Sequence, residues 1–514
     1  MTRREKSERP MVPNGDRKAA STVDGDGVGT ESPASEQAGQ LDLLGGIAAR
    51  KGIVGARSVE KSAVSSSSTP IPTSATSRTL PAMTMEEMAS DVNLRRAFAR
   101  VAANSGAPGA DRESVDDVRK HLEDVVTTLR RTLLDGTWRP GLIRRVWIPK
   151  SDGGQRGLGI PNVVDRIVQQ AVLQVLSPHY EATFHQWSHG FRPGRSCHTA
   201  IADAKFHLEE GFEFVVDIDL EKFFDRVNHD RLMARLAERV ADRRVLKTIR
   251  KMLTAKVLLP DGVVVGTEEG TPQGGPLSPL LANIVLDELD RELARRGHRF
   301  VRYADDCNIY VGSERAGHRV MESVTTFIEK RLRLKVNAKK SAVARPEDRH
   351  FVGFRLRRNA RTGKAEVLLS RRSQLRIDEK IRMLTPRNWG SSLRTCIERV
   401  NEYLVGWIGF FHIVSNAELT TMLNLDTHIR RRLRCTRLRQ WGSKRNIARQ
   451  FRKRGFNGDK VWRAVKDRGL WAISGLLMTN NAIRNNELEK MGLVSLTERW
   501  RRLIASTQLE LGLR

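Results

Sequence analysis

The sequence predicts an α/β body over residues 81–370, followed by an all-helical, strongly basic region over residues 371–514, with residues 1–80 as a disordered tail. Three observations carry this reading. From about residue 84 to 370, segments with the period of a strand alternate with segments of helical period, as an α/β fold requires. From Gln374 onward the apolar spacing is mostly helical, between dense arginine clusters. Before residue 80, Ser, Gly, Thr and charge dominate, and apolar clusters are as short as Leu41–Ile47.

Such a tail cannot bury enough apolar surface to offset its ordering entropy. The run Ser65-Ser66-Ser67-Ser68-Thr69-Pro70 reads as linker. Asp16, Asp24, Asp26 and Glu31 argue against a transit peptide.

At 514 residues the chain exceeds one ordinary core, and about two to four domains is the expectation. Its 89 basic and 60 acidic residues leave a net charge of +29, which points to a polyanionic partner, most often nucleic acid. A membrane partner is disfavoured, since no apolar run approaches the roughly 20 residues that span a bilayer. The N-terminus also lacks the apolar segment of a secretory signal. Cys197, Cys307, Cys396 and Cys435 are scattered, without a Cys-x-x-Cys pair. A disulfide framework and a cysteine-built zinc site are therefore not expected, and a reducing cytoplasm is.

In order, the first helix runs through Met85, Met88, Val92, Leu94, Phe98 and Val101, and a second through Val118–Leu134. A basic strand, Arg144–Lys150, turns at Ser151-Asp152-Gly153-Gly154 and returns over Gly157–Pro161. A helix over Asp165–Leu176 follows. Phe214–Leu220 alternates strictly, putting Phe214, Val216, Ile218 and Leu220 on one face and Val215, Asp217 and Asp219 on the other. Two acids on a buried-looking strand are costly unless something neutralises them.

Phe300–Val311 poses the same problem. Two β-prone arms flank a tight connection carrying Asp305-Asp306, where a hairpin ordinarily places Asn-Gly or Asp-Gly. Adjacent carboxylates raise each other's pKa unless a cation is close. An acid at the end of one strand and an acidic hairpin beside it make an oxygen-ligand cluster suited to Mg²⁺ and substrate phosphates. Two such ions activate a 3′-hydroxyl and stabilise leaving pyrophosphate.

Phe-Val-Val-Asp-Ile-Asp-Leu-Glu-Lys-Phe-Phe-Asp-Arg-Val-Asn-His-Asp and Arg-Tyr-Ala-Asp-Asp resemble the palm motifs of reverse transcriptases. More narrowly, they resemble the proteins encoded by bacterial group II introns. The resemblance covers residues of about 85 to 500 and implies an α/β right-hand polymerase, with fingers and palm, followed by an all-α basic thumb/maturase domain. It matches Asp219, Asp305 and Asp306 to the metal-binding triad. Asp225 matches a motif acid outside the triad, and Asp217 has no matching catalytic role.

The same resemblance assigns further roles. Lys150 and Arg156 match the fingers hairpin that grips the incoming triphosphate, for which cationic side chains around a glycine turn are suited. Phe223 matches the aromatic gate that rejects a ribose 2′-hydroxyl, with Phe224 in the core; the reverse order is the alternative. Gln273, in Pro272-Gln273-Gly274-Gly275, matches a residue beside the nascent base pair. Lys340 matches a proton donor to pyrophosphate, with Lys339 adjacent to it. Arg192 and Arg195, in Gly190-Phe191-Arg192-Pro193-Gly194-Arg195, are expected on template or primer phosphates. His350–Phe354 resembles the primer grip.

In the C-terminal region, Ile429–Arg434, Asn486-Glu487-Leu488 and Gly492–Leu496 resemble the maturase domain. Arg430, Arg431, Arg432 and Arg434, with Arg452, Lys453 and Arg454, are the expected RNA contacts, interleaved with Trp441, Trp462 and Trp471. The expected partners are group II intron RNA, a DNA target and primer, and dNTPs, with the protein on the nucleoid when it acts on DNA. Nothing in the sequence indicates an oligomeric state. The cysteine pairs of the family's endonuclease segment do not occur, so the endonuclease-lacking type, priming from a nascent strand at a replication fork, is expected. Two other readings stand beside this one: a retron-like or defence reverse transcriptase, and an RNA-binding splicing factor whose polymerase is idle.

Overall fold

The computed structural model describes residues 82–149, 154–386 and 390–512, and side chains as far as Ala505-Ser506. The expected tail, the turn Ser151–Gly153 and Lys150 lie outside the described residues.

Among the described residues ten strands divide into three sheets. β1 (Ile143–Pro149) and β2 (Gln155–Ile160) form the antiparallel hairpin read from the sequence, with Ile148 opposite Arg156. β3 (Phe214–Ile218) stands alone until later strands join it. β4 (Val257–Leu258) and β5 (Val264–Val265) extend the first sheet to the order β2-β1-β4-β5. β6 (Arg299–Tyr303), β7 (Asp306–Val311) and β8 (Ala342–Ala344) complete the second, ordered β6-β7-β3-β8. β9 (Phe354–Arg358) and β10 (Ala365–Leu369) make a separate hairpin.

The second sheet separates two cores, and the alternation of β3 is the reason. Val216 and Ile218 join Phe300, Cys307, Ile309 and Val311 in one core, with helices Val163–Glu181 and Ser278–Arg295. Val215 joins Val301 and Tyr310 in the other, with helix Cys197–Glu209, the β9–β10 hairpin and the C-terminal helices. Each fully buried aliphatic or aromatic side chain contributes about 1.5–3 kcal/mol. A sheet with both faces covered is correspondingly rigid. The second core also joins residues on both sides of position 370, so the C-terminal helices are built onto the back of the palm sheet.

Element bounds depart from the sequence-read spans in both directions: helix Val163–Glu181 outruns Asp165–Leu176, while β3 stops at Ile218, short of Leu220. Helix Val163–Glu181 continues through Pro178, and Ser278–Arg295 starts at a proline-bearing first turn. Two expectations change more. The first helix, read through Met85 to Val101, is two, Met85–Met88 and Asp91–Ala103, with Ser90 capping the second. The helix read over Val118–Leu134 is two, Val115–Lys120 and Leu122–Leu134, broken at His121 (φ −128°, ψ 33°). A reciprocal Ser114–Asp117 capping box starts the first of them.

Beyond β10, helices Arg371–Leu384, Leu393–Phe411 and Leu419–Gln440 are followed by shorter ones and by Leu496–Gly512. Among the described residues no helix is long and apolar enough to cross a membrane.

Candidate active site

β3 and β7 are antiparallel neighbours, and Ile218 pairs with Cys307. One step further along both strands sets Asp219 across from Asp306. The backbone of Asp219 is tied down on its far side. Its N–H donates to Ser341 Oγ (3.0 Å), and its carbonyl accepts from the Asn337 N–H (2.8 Å).

The β6–β7 connection is tighter than the sequence suggested. Tyr303 pairs with Asp306, so the turn residues are Ala304 and Asp305, and Asp306 is the first residue of β7. Ala304 has φ +57°, a conformation usually given to glycine.

The electrostatics are those of an anion cluster. Burial raises the pKa of Asp305, and Asp219 raises it further, while Arg156 and Arg302 oppose the shift. Asp306 reaches solvent at the mouth of the site. Even so, the surrounding protein, then Asp305, Asp217 and Asp219, push its pKa up to about 7, against a smaller effect of Arg372. Solvent access screens part of that shift.

Asp217, left without a role by the sequence, is accounted for. Arg349 donates to its Oδ2 from Nε (2.8 Å) and Nη2 (2.6 Å), and also to the Lys340 carbonyl (2.6 Å). Nothing in the local pattern of β3 announces a partner 132 residues away.

The donor set at Asp219, Asp305 and Asp306 is all carboxylate oxygen, which fits Mg²⁺. Among the described residues no group of three or more His, Cys, Asp or Glu side chains is arranged to hold a metal ion. Mg²⁺ at a carboxylate site keeps several waters and takes the rest of its shell from substrate phosphates.

The other predicted residues lie as follows. Arg156 is exposed on β2, and its charge is felt at Asp305. Gln273 Nε2 reaches Asp225 Oδ1 at 3.5 Å, and the Gln273 carbonyl accepts from the Gly159 N–H on β2 (2.7 Å). The proline-glycine loop is thereby held against the fingers hairpin. Gly274 permits this contact, because a Cβ there would lie 2.5 Å from the Gly159 carbonyl oxygen. Lys339 and Lys340 are both exposed next to the segment that holds Asp219.

The two phenylalanines differ in burial, in the reverse of the expected order. Phe223 is 2% exposed and packed in the first core, so its ring cannot lie under a sugar. Phe224 is half-buried and meets the exposed ring of Phe191 at 6.4 Å. A left-handed residue at Lys222 (φ +51°), followed by a short 3₁₀ turn, sets which ring turns inward. Strand alternation ends before this point, so sequence periodicity had no purchase on it.

Arg192 is also redirected. It donates to Glu181 Oε2 (2.8 Å) and to the carbonyls of His185 and Ser188 (both 2.7 Å), an internal bracket where a phosphate contact was expected. Arg195 donates to the Gln186 carbonyl at 2.8 Å.

Two family models match this chain. Residues 148–356 match "Reverse transcriptase (RNA-dependent DNA polymerase)", and residues 374–455 match "Group II intron, maturase-specific domain". Protein YkfC of Escherichia coli (strain K12) is 33% identical over 341 residues, covering 58% of this chain and 87% of that protein. The chain belongs to the group II intron reverse transcriptases.

Within this family, the group II intron-encoded protein LtrA of Lactococcus lactis subsp. cremoris is 36% identical over 208 residues. That match takes in 40% of this chain and 34% of LtrA, so the chain spans about a third of that relative. Retron Mx65 reverse transcriptase of Myxococcus xanthus is 31% identical over 208 residues, covering 38% of this chain and 47% of that protein.

In this reverse transcriptase the arginines of the maturase-specific region divide into two groups. Arg434 is buried and donates to the Ile483 carbonyl (3.0 Å) and Asn485 Oδ1 (2.7 Å), an internal role where RNA contact was expected. Arg432 donates to Thr385 Oγ1 (2.8 Å) and to its carbonyl (2.6 Å). Arg431 lies over the Trp471 ring at 4.1 Å, and Arg430 lies 3.8 Å from buried Asp426. Arg452, Lys453 and Arg454 are exposed at the end of helix Lys444–Arg452, although Arg454 also covers Trp441 at 4.8 Å. Sequence counts charge, while burial is decided by where helix Leu419–Gln440 packs.

Proposed function

We propose that this RNA-directed DNA polymerase copies RNA at a two-metal palm site, and that it binds the group II intron RNA encoding it to assist splicing and mobility. What supports the polymerase reading is the β3–β7 register, which ends with Ile218 opposite Cys307, one residue short of Asp219 and of Asp306.

Asp219, Asp305 and Asp306 would hold Mg²⁺, which when bound lowers the pKa of a primer 3′-hydroxyl and neutralises the leaving phosphates. Arg156, together with Lys150, binds the triphosphate by charge-assisted hydrogen bonds. Phe224 lies under the sugar and excludes a 2′-hydroxyl by overlap. Gln273 backs the nascent base pair, and Lys340 faces the pyrophosphate. Exposed Arg452, Lys453 and Arg454 supply the salt-dependent part of RNA affinity. The protein acts where its RNA and DNA are, in the bacterial cytoplasm and on the nucleoid.

Primer extension on an RNA template with Mg²⁺ tests the polymerase, with Asp305→Ala as the control. dNTP incorporation by wild type and none by the variant is the expected result. An inactive wild type that still promotes splicing of its intron RNA would leave a maturase with an idle polymerase. Active extension without any effect on splicing would support a retron-like enzyme.

A further inference from the structure

The palm contains a second charged centre that neither the sequence motifs nor the polymerase chemistry account for. Arg302, on β6, is fully buried three positions before Asp305, and so is its partner Asp290 on helix Ser278–Arg295. All five guanidinium N–H donors have work. Nε and Nη2 donate to the two oxygens of Asp290 at 2.7 and 2.6 Å. Nη2 donates to Ser188 Oγ at 2.6 Å, and Nη1 to Asn283 Oδ1 at 3.0 Å. The remaining bond runs from Nη1 to the carbonyl of Ala304, at 2.8 Å.

That last acceptor is the residue at φ +57°, the first residue of the turn that carries Asp305. The same turn is held from its other side. Asn283 Nδ2 donates to the Gly190 carbonyl (2.8 Å), and a Cβ on Gly190 would lie 2.2 Å from the Ala304 nitrogen. The backbone of Arg302 is pinned as well: its N–H donates to the Trp187 carbonyl, and its carbonyl accepts from the His189 N–H, both at 2.9 Å.

Stability alone is a weak reason for such a centre. Replacing a buried ion pair by apolar residues of similar volume is often neutral or stabilising. What an apolar side chain cannot do is hold a carbonyl in a fixed direction. A planar guanidinium locked by four other bonds can.

We propose that Arg302, oriented by Asp290, Asn283 and Ser188, is a positioning residue: it holds the Ala304–Asp305 turn in its left-handed form and so sets the divalent-ion affinity of the carboxylate site. This rests on reading that site as the polymerase metal centre. It also explains why Gly190-Phe191-Arg192-Pro193-Gly194 sits so close to the catalytic turn: its glycine is the outer wall of the same support.

Arg302→Lys keeps the charge and loses the fork. Gly190→Ala leaves the arginine intact and pushes on the same turn from outside. Mn²⁺ binding to each protein, followed by electron paramagnetic resonance in the absence of nucleotide, is the readout that general loosening would not produce by itself. Thermal melting and RNA affinity serve as fold controls, and kcat is measured against Mg²⁺ concentration.

Both variants are expected to weaken Mn²⁺ binding and raise the half-saturating Mg²⁺ by about fivefold or more, and to lower kcat by at least about tenfold. RNA affinity should stay within about twofold of wild type, since phosphate contacts by exposed cations, which neither variant touches, carry most of it. If Arg302→Lys does not fold, Asn283→Ala and Ser188→Ala, which each remove one brace, take its place with the same readouts. Folded variants with wild-type Mn²⁺ affinity and Mg²⁺ dependence would overturn the proposal. A wild type that neither binds Mn²⁺ nor extends a primer would overturn the metal-centre reading itself, and this inference with it.

Discussion

Arg349 grips the Asp217 carboxylate through two nitrogens, at 2.8 and 2.6 Å, one strand position pair away from Asp219. Burial raises the pKa of Asp217, and Arg349 opposes that rise. Without the arginine, a further unpaired carboxylate would face Asp306, which already feels Asp217. Arg349→Gln is expected to cost about 1–3 kcal/mol of stability and to weaken Mg²⁺-dependent extension. Asp217→Asn should restore much of the loss in the double variant. A double-mutant cycle by chemical denaturation checks the pair, and additive effects would mean it is not coupled.

The two adjacent phenylalanines should separate cleanly. Phe224→Ala is expected to raise ribonucleotide incorporation by on the order of tenfold or more, with little effect on melting. Phe223→Ala removes a ring from the core and should cost about 3–5 kcal/mol, with sugar discrimination kept. Competition between rNTP and dNTP in single-nucleotide extension measures the first, and denaturant unfolding the second. Ribonucleotide misincorporation in the Phe223 variant alone would reverse the assignment.

His350 gives a pH dependence. Its Nδ1 is buried without a partner, and burial, then Arg372, Arg376 and Arg349, lower its pKa to about 4. The unfolded chain, at about 6.5, therefore binds more protons than the native one between pH 4 and 6.5. Stability from this group is present above that window and is lost as pH falls through it. Between pH 7 and 5 the loss should be on the order of 1 kcal/mol after solvent screening. His350→Phe should remove that component, which melting curves across the range would detect.

Charge in the maturase-specific region should divide by burial. Replacing Arg452, Lys453 and Arg454 together by Gln is expected to lower the log–log salt slope of RNA binding by about 2, with the fold intact. Arg434→Gln should instead lower the melting temperature and leave the slope unchanged. Filter binding over a salt series distinguishes these outcomes.

Much of the site was legible because its chemistry is local. Asp305 and Asp306 are neighbours in the chain, Asp219 closes an alternating strand, and Arg156 follows a glycine turn. Each carries its meaning within a dozen residues. Arg302 lies inside the same motif, yet its role was not legible. Its partners Ser188, Asn283 and Asp290 lie 114, 19 and 12 residues away, on other elements.

The sequence by itself determined the α/β body, the basic helical region after it and the acids proposed to act at the palm. Periodicity and composition report which surfaces must be buried and which charges need a partner. Tertiary structure alone decided that Phe223 rather than Phe224 turns inward, that Arg192 and Arg434 brace the protein's own backbone, and that the turn begins at Ala304. Those outcomes depend on which distant segment occupies the space beside a side chain. Only packing sets that, and in this chain packing converges on Arg302 and the turn it holds.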